Sequence, residues 1–308
     1  MERLEANPEI KPQYRNIYIL GAIAGVLAII LYSPAYKWWI IEWTTPGSYY
    51  AHGVFVPFFI AAMIYKKRDA IRKTPVETSW WGLTLIIPAM LMVLFSARVH
   101  VVTTLSLSLI LFVYGTTWLV AGKRMTRILF VPLLFLFTMI PLLPEPILNP
   151  MAFPIQFEST KLATSFLNLL ALHAVRSGTS IQMPDYRLAV ELPCSGFKLL
   201  IAFFTIAGAF GYLLEAANWK RWVIFLVGVP LSLLTNSIRI ALIGIVGETI
   251  SAPAASTFHD YSGVIVLVLA FSFLLGLSRL LKCEKLLGIP LMDEPAPAGG
   301  TGSKRNGA

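Results

Sequence analysis

The chain is built from long apolar runs bounded by charged residues, and most of these runs are long enough to cross a lipid bilayer. A membrane helix needs about 20 apolar residues, or about 17 at the short end, to cross roughly 30 Å of hydrocarbon. Hydrophobic residues fill 56% of the 308 positions and charged residues only 13%, whereas a soluble domain carries about 25% charged residues. The predicted spans cover approximately 17–33, 53–65, 82–96, 102–121, 128–143, 196–214, 222–246 and 262–281. We therefore predict an all-α polytopic membrane protein with about eight transmembrane helices.

Two of these runs leave open how many spans there are and whether the first run is retained in the mature protein. The apolar core from Val54 to Tyr65 is nearer the length of a re-entrant segment, so seven or nine spans are alternatives. The first run follows a tail of 16 residues that contains Glu2, Glu5 and Glu9, and no small-residue cleavage pattern comes after it. We expect a retained helix there and not a cleaved signal peptide.

The basic residues indicate the orientation of the chain in the membrane. With eight spans, 18 of the 25 lysines and arginines fall in the two tails and the three loops on one side of the bilayer. The positive-inside rule makes that side cytoplasmic, so both termini are expected in the cytoplasm of a cell-membrane protein. Because the basic residues are dispersed among short loops and form no single patch, we expect no nucleic-acid partner.

The same topology predicts one long extracytoplasmic loop, over 144–195. Its prolines from Pro141 to Pro154 are expected to interrupt helix, a stretch from about Phe157 to His173 has the spacing of an interfacial helix, and Gly178–Met183 with Tyr186–Leu192 reads as a short hairpin. The predicted organisation is a cytoplasmic tail over 1–16, helices one to five over 17–143, the loop over 144–195, helices six to eight over 196–282, and a cytoplasmic, disordered tail over 283–308.

The first candidate site residue is Cys194, at the outer end of the sixth span. The other cysteine, Cys283, lies past the inner end of the eighth span, so a disulfide between them would have to cross the bilayer. A thiol at a helix N-terminus feels the positive end of the helix dipole, which favours the nucleophilic thiolate. The amides of Ser195 and Gly196 are expected at the same first turn, where they would stabilise an oxyanion. The alternative is a small buried apolar side chain.

The second candidate is Arg239, which lies near the outer end of the seventh span but still within apolar sequence. A permanent charge in that position is costly and indicates a functional site. Asn236 lies three residues earlier and shares the helix face, so the pair presents donors in one direction. The alternative is an arginine that extends to the surface or pairs with Glu248 or Asp260 for structural reasons.

The third candidate is His259, which the sequence places immediately before the eighth span. Imidazole is the side chain best suited to exchange a proton near neutral pH, and Asp260 is a candidate to orient it. A lone loop histidine usually has no such role. Here, however, a nucleophile, a base and a cation are all predicted at one membrane face, on three consecutive spans that are expected to be neighbours.

The chain resembles the exosortase/archaeosortase family of membrane transpeptidase-like enzymes. The resemblance rests on Pro193-Cys194-Ser195-Gly196, on Asn236-Ser237-Ile238-Arg239 and on His259 with Gly263 after it, and is supported by the segment His52-Gly53-Val54-Phe55-Val56-Pro57. It covers about residues 50 to 282. The cysteine and Asn-x-x-Arg motifs are specific in combination, whereas the histidine and the His52 segment are weaker signals.

The resemblance implies a membrane-embedded cysteine protease that recognises a C-terminal sorting tail on exported proteins, made of a short motif, an apolar helix and a basic cluster. It implies cleavage near the motif and transfer of the protein to a surface acceptor, with Cys194, Arg239 and His259 as the catalytic residues. The bilayer would then be shared by enzyme and substrate. We expect neither a cofactor nor a metal ion.

Three other functions are compatible with parts of the pattern. A transporter or channel would use Arg239 to bind an anion and Cys194 as a structural residue, but it predicts more polar residues inside the spans. A membrane acyltransferase acting on lipids would use the same cysteine and histidine. A scaffold would bind a partner through the long outer loop.

Overall fold

The computed structural model describes residues 12–45, 47–190 and 196–291, and these are mostly helical. The α-helices in these residues are α1 (Pro12–Leu31), α2 (Ser33–Thr44), α3 (Val56–Lys66), α4 (Arg68–Lys73), α5 (Leu83–Val99), α6 (Val102–Leu134), α7 (Leu136–Met139), α8 (Glu145–Leu169), α9 (Phe197–Leu213), α10 (Asn218–Thr249) and α11 (Ala252–Leu280). The strands are β1 (Val175–Ser177), β2 (Ser180–Gln182), β3 (Arg187–Ala189), β4 (Leu214–Glu215), β5 (Lys285–Leu286) and β6 (Ile289–Pro290).

Several of these helices are long and apolar enough to cross a bilayer. Within the described residues, three segments pass this test alone, namely Trp80–Val99, Val102–Met139 and Asn218–Thr249. The number rises to five if each of two bent pairs forms one span, namely Gly21–Leu31 with Ser33–Thr44 and Ala252–Gly263 with Ile265–Leu280. Two apolar helices are shorter, Ala51–Lys66 and Phe197–Leu213. A helical protein with several candidate spans is therefore confirmed, and the count of eight stays a prediction.

Helix α6 folds back on itself at Gly122. The backbone of Gly122 has a φ of 82° and a ψ of 174°, and a Cβ atom built there would lie 2.2 Å from the carbonyl oxygen of Glu77. The hydroxyl of Tyr114 donates a 2.6 Å hydrogen bond to the carbonyl oxygen of Phe130. Sixteen residues of straight helix would separate these two positions by about 24 Å. The two legs of α6 are therefore antiparallel, which matches the sequence prediction of separate apolar segments over 102–121 and 128–143.

The prolines after residue 144 do not delay the next helix, contrary to the prediction that helix begins at about Phe157. Helix α8 begins at Glu145 and contains Pro150 and Pro154. Pro146 lies in the first turn, where its missing N–H costs nothing. The three prolines are spaced by four residues and all lie on the exposed side of α8, so the carbonyl groups that lose a partner face outward.

A buried face along α8 offsets the two missing hydrogen bonds. Its buried residues recur every three or four positions and are Leu148, Ala152, Gln156, Ser159, Thr160, Ala163 and Leu167. Leu167 packs in one apolar cluster with Ile240 and Ala241 of α10. The helix is therefore a packing partner of α10, with the sheet described next held at its C-terminal end.

Strands β1, β2 and β3 form a small antiparallel sheet in that order. The predicted hairpin is present as β2 and β3, which turn at Pro184-Asp185, while β1 is an additional strand that the sequence pattern did not indicate. The inner face of the sheet buries Ile181, Met183 and Val190 against α8 and α10. Asn168 of α8 accepts the N–H of Ala174 at 2.7 Å and donates to its carbonyl oxygen at 2.9 Å. The sheet is thus joined to α8 just before β1 begins.

The last three long helices, α9, α10 and α11, pack on one another and are joined again by a second sheet at the far end from Gly196. Strand β4 directly follows α9 and pairs with β5, which comes after α11. Beside β4, the Lys66 ammonium group donates to the carbonyl oxygens of Tyr212, Leu213 and Leu214. These carbonyls end α9, and the lysine satisfies acceptors that a helix C-terminus leaves unpaired.

The helices extend beyond the apolar runs that predicted them. Helix α1 begins at Pro12, inside the predicted tail, and α11 begins at Ala252 and not near residue 262. Ser251 caps α11 by accepting the N–H of Ala254, and Pro253 lies in the first turn. A serine cap followed by proline is a strong helix start. The prediction of a disordered tail over 283–308 is wrong for residues 283–291, because β5 and β6 pair there in the second sheet. The rest of that tail, from residue 292 onward, lies outside the described residues.

Candidate active site

The start of α9 lies directly against Asn236 of α10. Gly196 precedes the first residue of α9 and has a φ of +87°. A Cβ atom built on Gly196 would lie 2.7 Å from Nδ2 of Asn236, whose side chain is fully buried. The helix begins one residue later than predicted, so Gly196 is its N-cap. Cys194 and Ser195 lie outside the described residues.

Arg239 lies one helical turn after Asn236, and its guanidinium group bonds to α11. The residue is buried, with 6% of its surface exposed. Its Nε donates a 2.7 Å hydrogen bond to Oγ of Ser262, and its Nη2 donates at 3.1 Å to the carbonyl oxygen of His259. Ser262 Oγ also donates to that carbonyl, at 2.8 Å. Hydrogen bonds from a charged donor are stronger than neutral ones, so this group of contacts fixes α11 against α10.

His259 belongs to α11, which corrects the prediction that it lies in a loop before the eighth span. It is two turns inside the helix, and its side chain is 38% exposed. Nδ1 lies 3.3 Å from Oδ1 of Asp260. Adjacent helical residues usually point apart, but this pair is in contact. Because Asp260 is 72% exposed, solvent screens the pair, and its main effect is to favour a proton on Nδ1. In that tautomer Nε2 carries no proton.

The imidazole of His259 borders a cleft of about 250 Å³ between the first sheet and the helices. Leu188, Ala189 and Val190 form one side, and Ile240 and Ile243 of α10 also line it. Ala255, Ser256 and His259 of α11 contribute the rest, with Tyr186. Val190 is the last described residue before the segment that contains Cys194. The cleft is thus bounded by the candidate base and by the strand that leads to the candidate nucleophile.

Val190 and Gly196, the described residues on either side of 191–195, each contact a buried carboxamide group. At the C-terminal end, Gly196 lies against Asn236. At the N-terminal end, Nε2 of Gln156 donates to the carbonyl oxygen of Val190. Sequence reasoning missed both Gln156 and Ser262. Gln156 could have been noticed as a polar residue on the otherwise apolar face of α8. Ser262 could have been noticed because it lies three residues after His259 and so shares its helix face.

A third support comes from the segment that carries His52. The hydroxyl of Tyr49 donates a 2.9 Å hydrogen bond to Oδ1 of Asn149, and the ring of Tyr49 packs edge-on against Phe197, the first residue of α9. His52 is buried and its Nε2 lies 2.9 Å from the carbonyl oxygen of Thr138. The histidine therefore has a structural contact, and the adjacent Tyr49 packs against the start of α9.

The outer surface of the helices defines the class of protein. Large apolar side chains are exposed on helices throughout the chain, among them Ile29, Leu91, Leu226, Val268 and Phe271. A soluble monomer rarely exposes apolar patches of this extent, whereas lipid is an apolar solvent. Together with the candidate spans, this surface is that of a membrane-embedded, multi-pass helical protein.

The chain belongs to the transmembrane exosortase family. The model of that family matches residues 38–276, which include Asn236, Arg239 and His259 as well as the whole segment from Val190 to Gly196. No curated protein and no solved structure matches the chain.

Proposed function

We propose that the protein is a membrane cysteine transpeptidase that cleaves C-terminal sorting tails from exported proteins, with Cys194 as nucleophile, Arg239 as the oxyanion-binding cation and His259 as the base. The observation that carries this proposal is the contact of Gly196 with Asn236, one turn from the Arg239 guanidinium that bonds to α11 at His259. Cys194 is covalently two residues from Gly196, and two trans peptide units span at most about 7.6 Å. This covalent connection supports the assignment of Cys194 to the same site as Arg239 and His259.

The proposed reaction proceeds through a thioester. Nε2 of His259 takes the Cys194 thiol proton, and the sulfur forms a bond to the scissile carbonyl carbon. The charge on the carbonyl oxygen is stabilised by Arg239 and by amides near Ser195 and Gly196. The imidazolium then gives its proton to the departing amine as the C–N bond breaks. Water or an acceptor amine or hydroxyl, activated by the same imidazole, attacks the thioester and regenerates the thiol.

The positive-inside count supports an orientation in which both termini are cytoplasmic and the cleft opens outward. A substrate tail with its basic cluster in the cytoplasm would then present its motif at the outer surface, beside His259. Enzyme and tail would meet by diffusion within one lipid phase. The extended α8 and the first sheet would lie on the outer side of the membrane, where exported proteins emerge.

Replacement of each cysteine in turn tests the proposed nucleophile. The substrate is an exported reporter protein from the same organism that carries a short motif, one apolar helix and a basic cluster at its C-terminus. We expect Cys194→Ala to abolish its cleavage and Cys283→Ala to leave cleavage within about twofold of wild type, because Cys283 is buried beside β5, away from the cleft. Expression level and melting temperature of both variants serve as controls. Unchanged cleavage in Cys194→Ala would reject the mechanism.

A further inference from the structure

Strand β3 leaves one edge of the first sheet unpaired within the described residues. The order of the strands is β1-β2-β3, so β3 has a neighbour only on the β2 side. Met183 donates its N–H to the carbonyl oxygen of Tyr186, and Val190 donates to Thr179. Antiparallel pairs alternate between hydrogen-bonded and non-hydrogen-bonded, so the pair Ser180–Ala189 does not exchange bonds.

The peptide groups of Arg187 and Ala189 therefore point away from β2. The pair Gln182–Arg187 is also of the type that exchanges no bonds. Arg187 and Ala189 are both exposed, whereas the side chains of Leu188 and Val190 turn inward. Two N–H groups and two carbonyl groups are thus presented along one line, at the alternate spacing that a further strand requires.

Residues of β3 line the cleft that His259 borders. Leu188, Ala189 and Val190 form one side of the cleft, and Ala255, Ser256 and His259 of α11 contribute other lining residues. An extended peptide advances about 3.3 Å per residue, so three residues need a slot of about 10 Å. The apolar side chains of Ile240 and Ile243 line the same space, where they would contact every second side chain of such a peptide.

We propose that the substrate tail docks as an extended strand on the free edge of β3, in the cleft between β3 and α11. This inference rests on the proposed function, since the occupant is the motif segment of the sorting tail. Main-chain hydrogen bonds to Arg187 and Ala189 would provide affinity, and the alternate side chains facing α10 would provide selectivity. Because His259 lines the same cleft, this docking places the peptide backbone beside the proposed base.

Substitution of proline for Ala189 tests the docking from the enzyme side. Ala189→Pro removes the outward N–H and adds a ring where the peptide would lie, yet proline is tolerated on an edge strand whose N–H faces outward. Ala189→Val is the matched control, because it retains the N–H and suits a strand. Both are made in Cys194→Ala protein, and binding of a fluorescent synthetic copy of the motif segment is measured by anisotropy in detergent. We expect about 10-fold weaker binding for proline and a change within about threefold for valine.

A backbone scan of the peptide tests the docking even where the proline variant fails to fold. Each amide of the synthetic motif peptide is replaced in turn by an ester, which removes one N–H donor. Edge pairing predicts that every second replacement weakens binding about 3- to 10-fold, with little effect between them. Strand docking would be overturned if all ester replacements had the same effect on binding, or if the proline variant bound the peptide like the valine control. Neither result would affect the proposed cleavage through Cys194.

The opposite failure is also distinguishable. If the ester scan alternates but Cys194→Ala cleaves the reporter normally, docking on β3 is supported and the thiol mechanism is rejected. If the peptide does not bind at all, strand docking is overturned, and the comparison of Cys194→Ala with Cys283→Ala decides separately on the proposed reaction.

Discussion

Replacement of Gly196 by alanine has a cost that follows from two separate features of the structure. The first is the backbone, because a φ of +87° disfavours any residue with a Cβ atom by about 1–2 kcal/mol. The second is the contact with Asn236, since the new Cβ would lie 2.7 Å from Nδ2 and 2.9 Å from Cγ of a fully buried side chain. Overpacking of this kind costs about 1–3 kcal/mol. We expect a total loss of about 2–5 kcal/mol in the free energy of unfolding.

Gly178 provides the matched control for this variant. It lies in the turn between β1 and β2 with a φ of +62°, and a Cβ atom built on it meets nothing within 4 Å. Gly178→Ala therefore carries only the backbone cost of about 1–2 kcal/mol. The free energies of unfolding are measured by denaturant titration in mixed micelles, and cleavage of the tailed reporter is measured in parallel. Cleavage is expected to fall in Gly196→Ala but not in Gly178→Ala.

A double-mutant cycle isolates the contact itself. Asn236→Ala removes Nδ2 and Cγ, the two atoms nearest to the new Cβ, and leaves only Cβ at 3.1 Å. The cost of Gly196→Ala should therefore fall by about 1–3 kcal/mol in that background. Equal losses for the two glycine variants, together with additive effects in the cycle, would refute the packing of Gly196 against Asn236 of α10.

Three further substitutions or reagents test other parts of the site. Gln156→Leu is expected to lower reporter cleavage about 3- to 10-fold, because the Val190 carbonyl loses its donor, while Gln182→Leu on the exposed face of β2 should change it less than twofold. Arg239→Lys is expected to lower cleavage at least 100-fold, since one ammonium cannot reproduce the fork that bonds to α11, and near-normal rates would contradict this role. Burial raises the pKa of the Cys283 thiol, so iodoacetamide should alkylate it slowly at pH 8 and faster as the pH rises toward that pKa. Mass spectrometry measures the alkylation, and a rate equal to that of free cysteine would contradict the burial of Cys283.

The parts of the fold that depend on solvent preference were predictable from the sequence. Apolar runs locate most of the helices, because a segment that is buried in lipid must be apolar along the whole length of the span. The starts of helices α8 and α11 were harder to predict, because they depend on proline and capping residues. Three prolines spaced by four residues in α8 were expected to break the helix, but their common exposed side makes the helix tolerable. The start of α11 was missed because its first turn consists of three alanines and Pro253, which show no periodicity of large apolar residues.

The candidate site was predictable as a set of residue types and only partly as an arrangement. Arg239 was identified because a permanent charge among apolar residues is costly in free energy, and the structure confirms its burial beside His259 of α11. Ser262 and Gln156 could not be identified in the same way, because their roles depend on contacts between segments far apart in sequence. A serine or glutamine on a helix carries no local sign of the group it will bind.

The anchor between Arg239 and α11 uses the main-chain oxygen of residue 259 and not its imidazole. Every amino acid supplies a carbonyl oxygen. At residue 259, therefore, the group that binds Arg239 does not depend on the side chain that is proposed to transfer the proton. Exchange of the side chain at 259 during evolution, or in a base-replacement experiment, leaves the guanidinium docked as before. An activity change in His259→Ala or His259→Gln is therefore expected to report on the imidazole in the cleft and not on a displacement of α11.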